Sequence, residues 1–189
     1  MIPDWMSSAP RPFDTVLVAN RGEIAVRVLR AAKESGLRGI AVYSDPDAGS
    51  LHVENADQAV HLPGTTLADT YLNGDAIIQA ARSTGAQAIH PGFGFLSERA
   101  DFANAVKAAG LIWIGPPADA IDTMGDKISA RRCMIQSGVP VIPGEEISIV
   151  GDSDHLGVLA SAAARVGYPL LLKASAGGGG KGMRSVHEP

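Results

Sequence analysis

Short apolar runs alternate with amphipathic helical segments between Thr15 and Ile114, and this alternation constrains the fold more than any other feature. The segment after the first run carries apolar residues at helical spacing and charged residues opposite them, with Asn20 as the predicted N-cap and Glu23 completing a capping box. Strands that alternate with helices at this spacing build βαβ units, which give a parallel sheet covered on both faces. We therefore predict an α/β fold with a Rossmann-like parallel sheet. The predicted strands are Thr15–Ala19, Gly39–Tyr43, Gln58–Leu62, Ala86–His90 and Ile112–Ile114.

The alternation gives way to two adjacent helical stretches over residues 118–137, with a break at Gly125. Gly138, Pro140 and Pro143 then interrupt the chain, so we place a domain boundary in this region. A strand near Glu146–Ile149, a helix ending at Val166 and two further strands are predicted beyond it. The predicted division is a leader at 1–12, an α/β domain at 13–125, a helical connector at 126–140 and an incomplete second domain at 141–189.

Composition excludes several classes of protein. The 189 residues are 46% hydrophobic and 19% charged, which is typical of a globular chain and not of a disordered one. Sixteen basic and 20 acidic residues give a net charge of −4, so we expect no nucleic-acid partner. Cys133 is the only cysteine, which excludes a disulfide framework and a four-cysteine zinc site. Without an apolar stretch of membrane length or a signal-peptide pattern, we expect a cytoplasmic protein with no membrane association.

The strongest local feature is a lysine in an apolar run, followed by a tract of glycines. Lys173 lies in "YPLLLKAS", and Gly177–Gly180 follow. Burying an unpaired ammonium is costly, so Lys173 must meet an anion or reach water. Consecutive glycines have no side chains to pack, and they allow backbone N–H groups to surround phosphate oxygens. We predict that Lys173 and this loop bind phosphate; the alternative is a flexible surface linker.

The glycine tract is not a Walker A loop. That pattern requires a Ser or Thr after its lysine, whereas Lys181 is followed by Gly182, and Met183–Val186 resembles a strand rather than a helix. The arrangement predicts a strand–loop–strand flap over a nucleotide. The GxGxxG fingerprint of dinucleotide-binding folds is also missing after the first strand, where "NRGE" stands.

Three other features leave a functional and a structural interpretation open. Lys127 could reach a nucleotide or be a solvated residue at a helix start. His90 could be a base, but a lone histidine at a strand end is more often a structural hydrogen-bonding group. One face of the first predicted helix marks either a partner surface or plain solvated surface. The residues of this face are Val26, Arg27, Arg30 and Glu34.

Several segments together resemble the N-terminal part of biotin carboxylase, the ATP-grasp component of biotin-dependent carboxylases. They are "VLVANRGEIAVRVLRAAKE", "AIHPGFGFLSE", "IGPP", "MGDK" and "YPLLLKASAGGGGKGMR". The resemblance runs from about Phe13 to the last residues. The segment "HPGFGFLSE" separates it from carbamoyl-phosphate synthetase, a relative with the same domain plan.

The resemblance implies a ligase that uses MgATP to activate bicarbonate and then carboxylates biotin on a carrier protein. Such a ligase serves acyl-CoA carboxylases, with a role in fatty acid metabolism. By motif, Lys127 and Lys173 resemble the lysines that contact the nucleotide, and Met183 resembles a residue near the adenine. Gly178, Gly179 and Gly180 resemble the lid loop over the phosphates.

The resemblance also implies partners, namely a biotin carboxyl carrier protein, a carboxyltransferase and a second copy of the chain. The homodimer contact would use the helix that bears Arg27, Arg30 and Glu34. The family's unit continues beyond these motifs to the magnesium-binding carboxylates and the residues for bicarbonate and biotin, so we expect the 189 residues alone to be inactive. The alternatives are a non-catalytic dimerisation or docking module and another ATP-grasp ligase, similar to carbamoyl-phosphate synthetase.

Overall fold

The structure, a computed structural model, describes residues 11–147, 154–173 and 182–189. The chain divides into unit 1, residues 1–122, and unit 2, residues 123–189. Within the described ranges it forms seven strands and seven α-helices. None of the helices in these ranges is long and apolar enough to cross a bilayer. Residues 1–10 of the predicted leader lie outside the described residues, and Arg11 Nη1 donates a hydrogen bond to the Gly36 carbonyl at 2.9 Å.

Unit 1 is built on a five-stranded sheet in the order β3-β2-β1-β4-β5, in which every neighbouring pair is parallel. This confirms the predicted Rossmann-like fold, and the observed strands differ from the predicted ones by at most two residues at either end. Short 3₁₀ turns occupy Asp45–Asp47 and Phe95–Glu98. The elements are β1 (Thr15–Val18), α1 (Gly22–Glu34), β2 (Arg38–Tyr43), α2 (Leu51–Glu54), β3 (Gln58–His61), α3 (Gly74–Thr84), β4 (Ala88–His90), α4 (Ala100–Ala108) and β5 (Ile112–Trp113), followed by α5 (Ala118–Gly125).

Both faces of the sheet are covered by helices. Side chains alternate along β1, so Leu17 packs in one cluster with Ile77 of α3, while Val18 packs in another with Ala25 and Leu29 of α1. All five side chains are at most 2% exposed. The near-continuous apolar sequence of β1 follows from this burial on two sides.

Gly39 in β2 allows α1 to approach the sheet closely. A Cβ atom at this position would lie 2.8 Å from Leu29 Cδ2, closer than real Cβ atoms approach. A larger residue would push α1 away from the sheet.

The predicted N-cap of α1 is wrong. The helix begins at Gly22 with Arg21 as the cap residue, and no side chain accepts a capping hydrogen bond there. Glu23 is exposed in the first turn. Asn20 is buried instead, and its side-chain amide binds carbonyl groups of the loop after β4.

Unit 2 contains two helices and a two-stranded antiparallel hairpin. Asp126 and Asp154 cap the helices, accepting hydrogen bonds from the backbone N–H groups of Ser129 and Gly157. The predicted strand at Glu146–Ile149 is wrong for residues 146 and 147, which lie outside any strand; residues 148 and 149 lie outside the described residues. The elements are α6 (Lys127–Gln136), α7 (His155–Val166), β6 (Leu170–Lys173) and β7 (Met183–Val186).

The two units differ in how much apolar surface they bury. The buried hydrophobic side chains of the described residues lie in unit 1, with the exception of Ala162 in unit 2. Each strand of the β6–β7 hairpin has one neighbour among the described residues, whereas β1 is paired on both sides.

We expect backbone amides of β1 and β2 to exchange with solvent more slowly than those of β6 and β7, by about two orders of magnitude or more, because local opening of the hairpin exposes little apolar surface. Hydrogen–deuterium exchange on the 189-residue chain measures this directly. Equal protection of the two sheets would contradict the expectation.

Candidate functional site

A cavity of about 980 Å³ lies within unit 2, and its wall includes both lysines that the sequence singled out, Lys127 and Lys173. This volume is at the upper end of the range of small-molecule pockets, about 300–1,000 Å³. Apolar side chains of α7 and β6 form another part of the wall. The structure therefore brings the two predicted nucleotide-binding lysines to one cavity within one unit.

Lys173 is the last residue of β6 and is exposed. Water reaches its ammonium group, so the burial cost that the apolar run suggested is avoided. In the hairpin register Lys173 lies opposite Met183, the first residue of β7, and directly opposite residues of an antiparallel pair share a face. Two of the predicted site residues are thus cross-strand neighbours.

Lys127 is the first residue of α6 and is also exposed. Asp126, immediately before it, caps the helix by accepting a hydrogen bond from the Ser129 N–H at 2.7 Å. That bond holds the pKa of the Asp126 carboxyl below its usual value. The cap fixes where α6 begins and therefore where the Lys127 side chain leaves the backbone.

Arginines from both helices fix the segment Ile142–Glu146, which forms a further side of the cavity. Arg131 donates to the carbonyl groups of Ile142 at 2.6 Å and Gly144 at 3.1 Å. Arg132 pairs with Glu146, and Arg165 Nε donates to Glu145 at 2.8 Å. These contacts replace a regular sheet in holding the segment to α6 and α7.

The cavity fits an anionic ligand that also carries an apolar ring. Two ammonium groups can neutralise phosphate charge, and the side chains Leu159, Val166, Leu170 and Leu172 offer apolar surface. The two glutamates of the wall are engaged by Arg132 and Arg165. No group of three or more metal-ligating side chains occurs among the described residues.

Gly178, Gly179 and Gly180, the predicted phosphate loop, lie outside the described residues. Their assignment stays a prediction, as do the individual roles of Lys127, Lys173 and Met183.

A second polar cluster lies at the carboxyl edge of the sheet in unit 1, and sequence reasoning missed it. Asp47, in the 3₁₀ turn after β2, accepts hydrogen bonds from Tyr71 Oη at 2.7 Å and Ser44 Oγ at 2.9 Å. Arg21, after β1, completes the cluster with its Nη1 atom 3.3 Å from Asp47 Oδ2 and its guanidinium 5.8 Å from the centre of the Tyr71 ring. The partners lie on three separate segments, so no local spacing indicated the cluster.

The Asp47 cluster changes the acidity of two of its members. Burial disfavours the charge on Asp47, but the hydrogen bonds from Tyr71 and Ser44 and the charge of Arg21 outweigh it and lower the pKa of this carboxyl. Burial and the neighbouring carboxylate raise the pKa of Tyr71 to about 12. Asp47 is therefore ionised and Tyr71 is a hydrogen-bond donor at neutral pH.

His90 is a hydrogen-bonding residue of the loop that follows β4. Its Nδ1 atom accepts from the Gly92 N–H at 3.0 Å, and burial together with the nearby charge of Arg27 lowers the pKa of the imidazole. This geometry supports the structural interpretation over a catalytic base.

The face of α1 with Arg27, Arg30 and Glu34 borders a groove of about 380 Å³ within unit 1. All three residues are exposed, and Arg30 Nε lies 3.9 Å from Glu34 Oε1, one turn away. An exposed pair of this kind contributes little to stability, about 0.3–0.5 kcal/mol. The contacts within the chain leave the choice between a partner surface and a solvated face open.

Comparisons with known proteins identify two matched regions. The family described as "Biotin carboxylase, N-terminal domain" matches residues 12–121, and the family described as "Carbamoyl-phosphate synthase L chain, ATP binding domain" matches residues 126–189. The first match covers more than half of the chain. The Lys127–Lys173 cavity lies within the second match.

Relatives named as carboxylases align across both regions. The mitochondrial methylcrotonoyl-CoA carboxylase subunit alpha of Dictyostelium discoideum is 51% identical over 93% of this chain, which spans 25% of that subunit. The biotin carboxylase of Haemophilus influenzae is 50% identical over 92% of this chain and 38% of its own length. The chain thus spans about a quarter of the length of the carboxylase subunit and under two fifths of the biotin carboxylase.

A solved structure of a biotin carboxylase domain also matches most of this chain. The biotin carboxylase domain dimer of Hydrogenobacter thermophilus 2-oxoglutarate carboxylase, in complex with MgADP, ADP and bicarbonate, superposes with a TM-score of 0.83 and 44% identity. The match covers 94% of this chain and 38% of that one.

Replacing Asp47 with Asn should destabilise unit 1 by about 1.5–3 kcal/mol at pH 7, since the negative charge that the side chains of Tyr71, Ser44, Ser50 and Arg21 contact is lost. The pKa of Asp47 is lower in the folded chain than the value of about 3.9 in the unfolded chain. Its contribution is therefore complete above about pH 4 and is lost as the pH falls through the folded-state value. Urea unfolding followed by tryptophan fluorescence measures the difference, because Trp113 is buried in unit 1.

The matched control is Asp101→Asn. Asp101 pairs with Arg99 in an exposed position, 67% accessible, and its loss should cost at most about 0.5 kcal/mol. Equal effects of the two substitutions, or a cost of Asp47→Asn that stays constant between pH 7 and pH 3, would contradict the assigned role.

Proposed function

The chain belongs to the biotin carboxylase family, and on that premise we propose that it forms the N-terminal part of an ATP-dependent biotin carboxylase. In this proposal unit 1 is the N-terminal α/β domain and unit 2 is the beginning of the ATP-binding lid. The observation that carries the proposal is the convergence of Lys127 and Lys173 on one cavity, in the unit that matches an ATP-binding family.

The proposed reaction has two stages. Bicarbonate oxygen attacks the γ-phosphorus of ATP, ADP leaves, and the carboxyphosphate that forms releases CO2 and phosphate. The released phosphate takes the proton of a ureido nitrogen of carrier-bound biotin, and this nitrogen then attacks the CO2 to give carboxybiotin. Magnesium, when bound, neutralises charge on the nucleotide phosphates.

The two lysines act in the first stage of this proposal. Their ammonium groups stabilise the negative charge on the phosphate oxygens and hold the nucleotide in place for in-line attack. Met183 would lie near the adenine, and the loop of Gly178, Gly179 and Gly180 would close over the phosphates. The neighbouring positions of Lys173 and Met183 in the hairpin support a site that contacts both parts of the nucleotide.

We propose that these 189 residues are not a complete catalyst. The chain spans 38% of the length of the biotin carboxylase of Haemophilus influenzae, so most of that relative has no counterpart in these 189 residues. We therefore expect the isolated chain to show no bicarbonate-dependent ATP turnover.

The partners follow from the same proposal. A biotin carboxyl carrier protein would supply the biotin, a carboxyltransferase would use the carboxybiotin, and two chains would pair through the α1 face. A cytoplasmic location and a role in fatty acid metabolism stay predictions. The groove along α1 does not distinguish a pure docking module from a solvated face, whereas the relatives of this chain are carboxylases.

The function is tested by assaying the complete parent protein with ATP, labelled bicarbonate and biotin. ATP cleavage that depends on bicarbonate, with label transferred to biotin, is the expected result. ATP cleavage with transfer of the carboxyl group to ammonia would instead indicate an enzyme similar to carbamoyl-phosphate synthetase.

In that protein Lys173→Ala should raise the apparent KM for ATP by about 10- to 100-fold, the loss expected for a hydrogen bond to a charged group. Lys107→Ala is the matched control, since Lys107 is an exposed lysine in the last turn of α4. An unchanged KM for ATP in Lys173→Ala would remove this lysine from the nucleotide site.

If α1 forms the homodimer contact, Arg30→Glu should shift the chain towards monomer, because it places two acidic side chains one turn apart on the interface. Sedimentation equilibrium of the wild-type and variant chains measures the shift. Lys107→Glu, at an exposed lysine of α4, is the control. A wild-type chain that is monomeric at high concentration would count against the contact.

A further inference from the structure

The loop after β4 carries an exposed aromatic side chain at the edge of the sheet where ligands bind. Phe93 is 78% exposed, far more than the other described phenylalanines. In open parallel sheets ligands bind outside the carboxyl ends of the strands, at the point where the strand order reverses. Here that point lies between β1 and β4, and the residues that follow these two strands are Asn20 and Pro91.

The backbone of this loop turns through left-handed conformations, which glycine adopts without strain, and Phe95 is its strained residue. Gly92, Gly94 and Phe95 have φ angles of +72°, +66° and +49°, so three of four consecutive residues lie in the left-handed half of conformational space. For a phenylalanine this conformation is unfavourable. Such strain persists only where surrounding contacts enforce it, and it concentrates at functional sites.

Asn20 supplies those contacts. Its side chain is buried, and its Nδ2 group donates to the Pro91 carbonyl at 2.7 Å and to the Phe93 carbonyl at 3.0 Å. Its Oδ1 atom accepts from the Arg21 N–H at 2.9 Å. Both donor hydrogens and the acceptor are thus in use, and a carboxylate or a hydroxyl of similar size cannot supply two donors and an acceptor.

The loop and the asparagine also fit each other sterically. A Cβ atom on Gly92 would lie 2.6 Å from Asn20 Nδ2, so only glycine leaves room for the amide. At the far end of the loop, the Phe95 ring stacks on Tyr71 with 5.7 Å between ring centres. Phe93 therefore lies between two anchored positions.

We propose that Asn20 is the positioning residue of the loop formed by residues 91–95. It holds the backbone that places the exposed Phe93 side chain at the carboxyl edge of the sheet, the edge at which ligands of such sheets bind. The expected effect of Asn20 on catalysis rests on the proposed carboxylation. Its expected effect on the loop does not.

The loop itself is tested on the 189-residue chain by 19F NMR with fluorophenylalanine. Four phenylalanines give four resonances, and Phe93→Leu assigns the one of interest. In Asn20→Asp the resonances of Phe93 and Phe95 should broaden or move towards the unfolded position, while those of Phe13 and Phe102 stay in place. Asn104→Asp makes the same chemical change on the exposed surface of α4 and should leave all four unchanged.

Asn20→Ser keeps one hydroxyl donor and should give a smaller change than Asn20→Asp. Unchanged Phe93 and Phe95 resonances in Asn20→Asp would overturn the proposal. Loss of the folded state in both Asn20 variants, with Asn104→Asp folded, would also overturn it, because Asn20 would then be a residue of the fold and not of the loop.

Catalysis is tested in the complete protein. Asn20→Asp should lower kcat/KM for bicarbonate or biotin by about 10-fold or more, as expected for a misplaced contact. The KM for ATP should stay within about twofold, because the lysines that would bind the nucleotide belong to unit 2. In a Phe93→Ala background, Asn20→Asp should have no further effect, since Asn20 acts through this loop.

Additive effects of Asn20→Asp and Phe93→Ala, or an equal loss for ATP, would overturn the positioning role. An inactive wild-type protein would instead refute the proposed carboxylation, and the NMR result on the chain would still decide whether Asn20 holds the loop.

Discussion

The pairing of β1 with a parallel strand on each side is the interaction on which the rest of unit 1 depends. Because β1 is buried on both faces, its backbone polar groups must find partners within the sheet, and β2 and β4 provide them. Parallel pairing brings the residues that follow all three strands to the same edge. Their polar side chains cannot enter the apolar faces, so they bond to one another there. The Asp47 cluster and the Asn20 contacts are both consequences.

Unit 2 is held by a different kind of interaction. With little apolar surface buried among its described residues, the segment Ile142–Glu146 is fixed by arginines from α6 and α7. Exposed ion pairs of this kind contribute little stability in water, but two of them also engage the carboxylates of the cavity wall. An anionic ligand then meets the lysines without direct opposition from Glu145 and Glu146. In the proposed function, phosphate therefore binds beside carboxylates that are already paired.

Features that depend on residues close in the sequence could be predicted from it. Contacts that join distant segments could not. Strands and helices follow from local periodicity, and Lys173 stood out because its own run is apolar. The hairpin leaves this lysine in water, which is one of the two outcomes that the cost of burying its ammonium group allowed. Asn20 was taken for an N-cap because Glu23 follows at the right spacing, yet its partners Pro91 and Phe93 lie 71 and 73 residues away. Only the sheet register brings them together.

The contrast between the units has a physical basis. A strained loop has a higher free energy than a relaxed one. It persists only where the surrounding packing would lose more free energy by rearranging than the loop would gain by relaxing. The buried sheet of unit 1 is such a support, and the positive φ angles at residues 92–95 occur at its edge. A cationic wall for phosphate requires no comparable rigidity, because exposed ammonium groups can follow the charge they neutralise. The buried sheet of unit 1 therefore supports a loop of fixed shape. The less buried hairpin and helices of unit 2 supply positive charge.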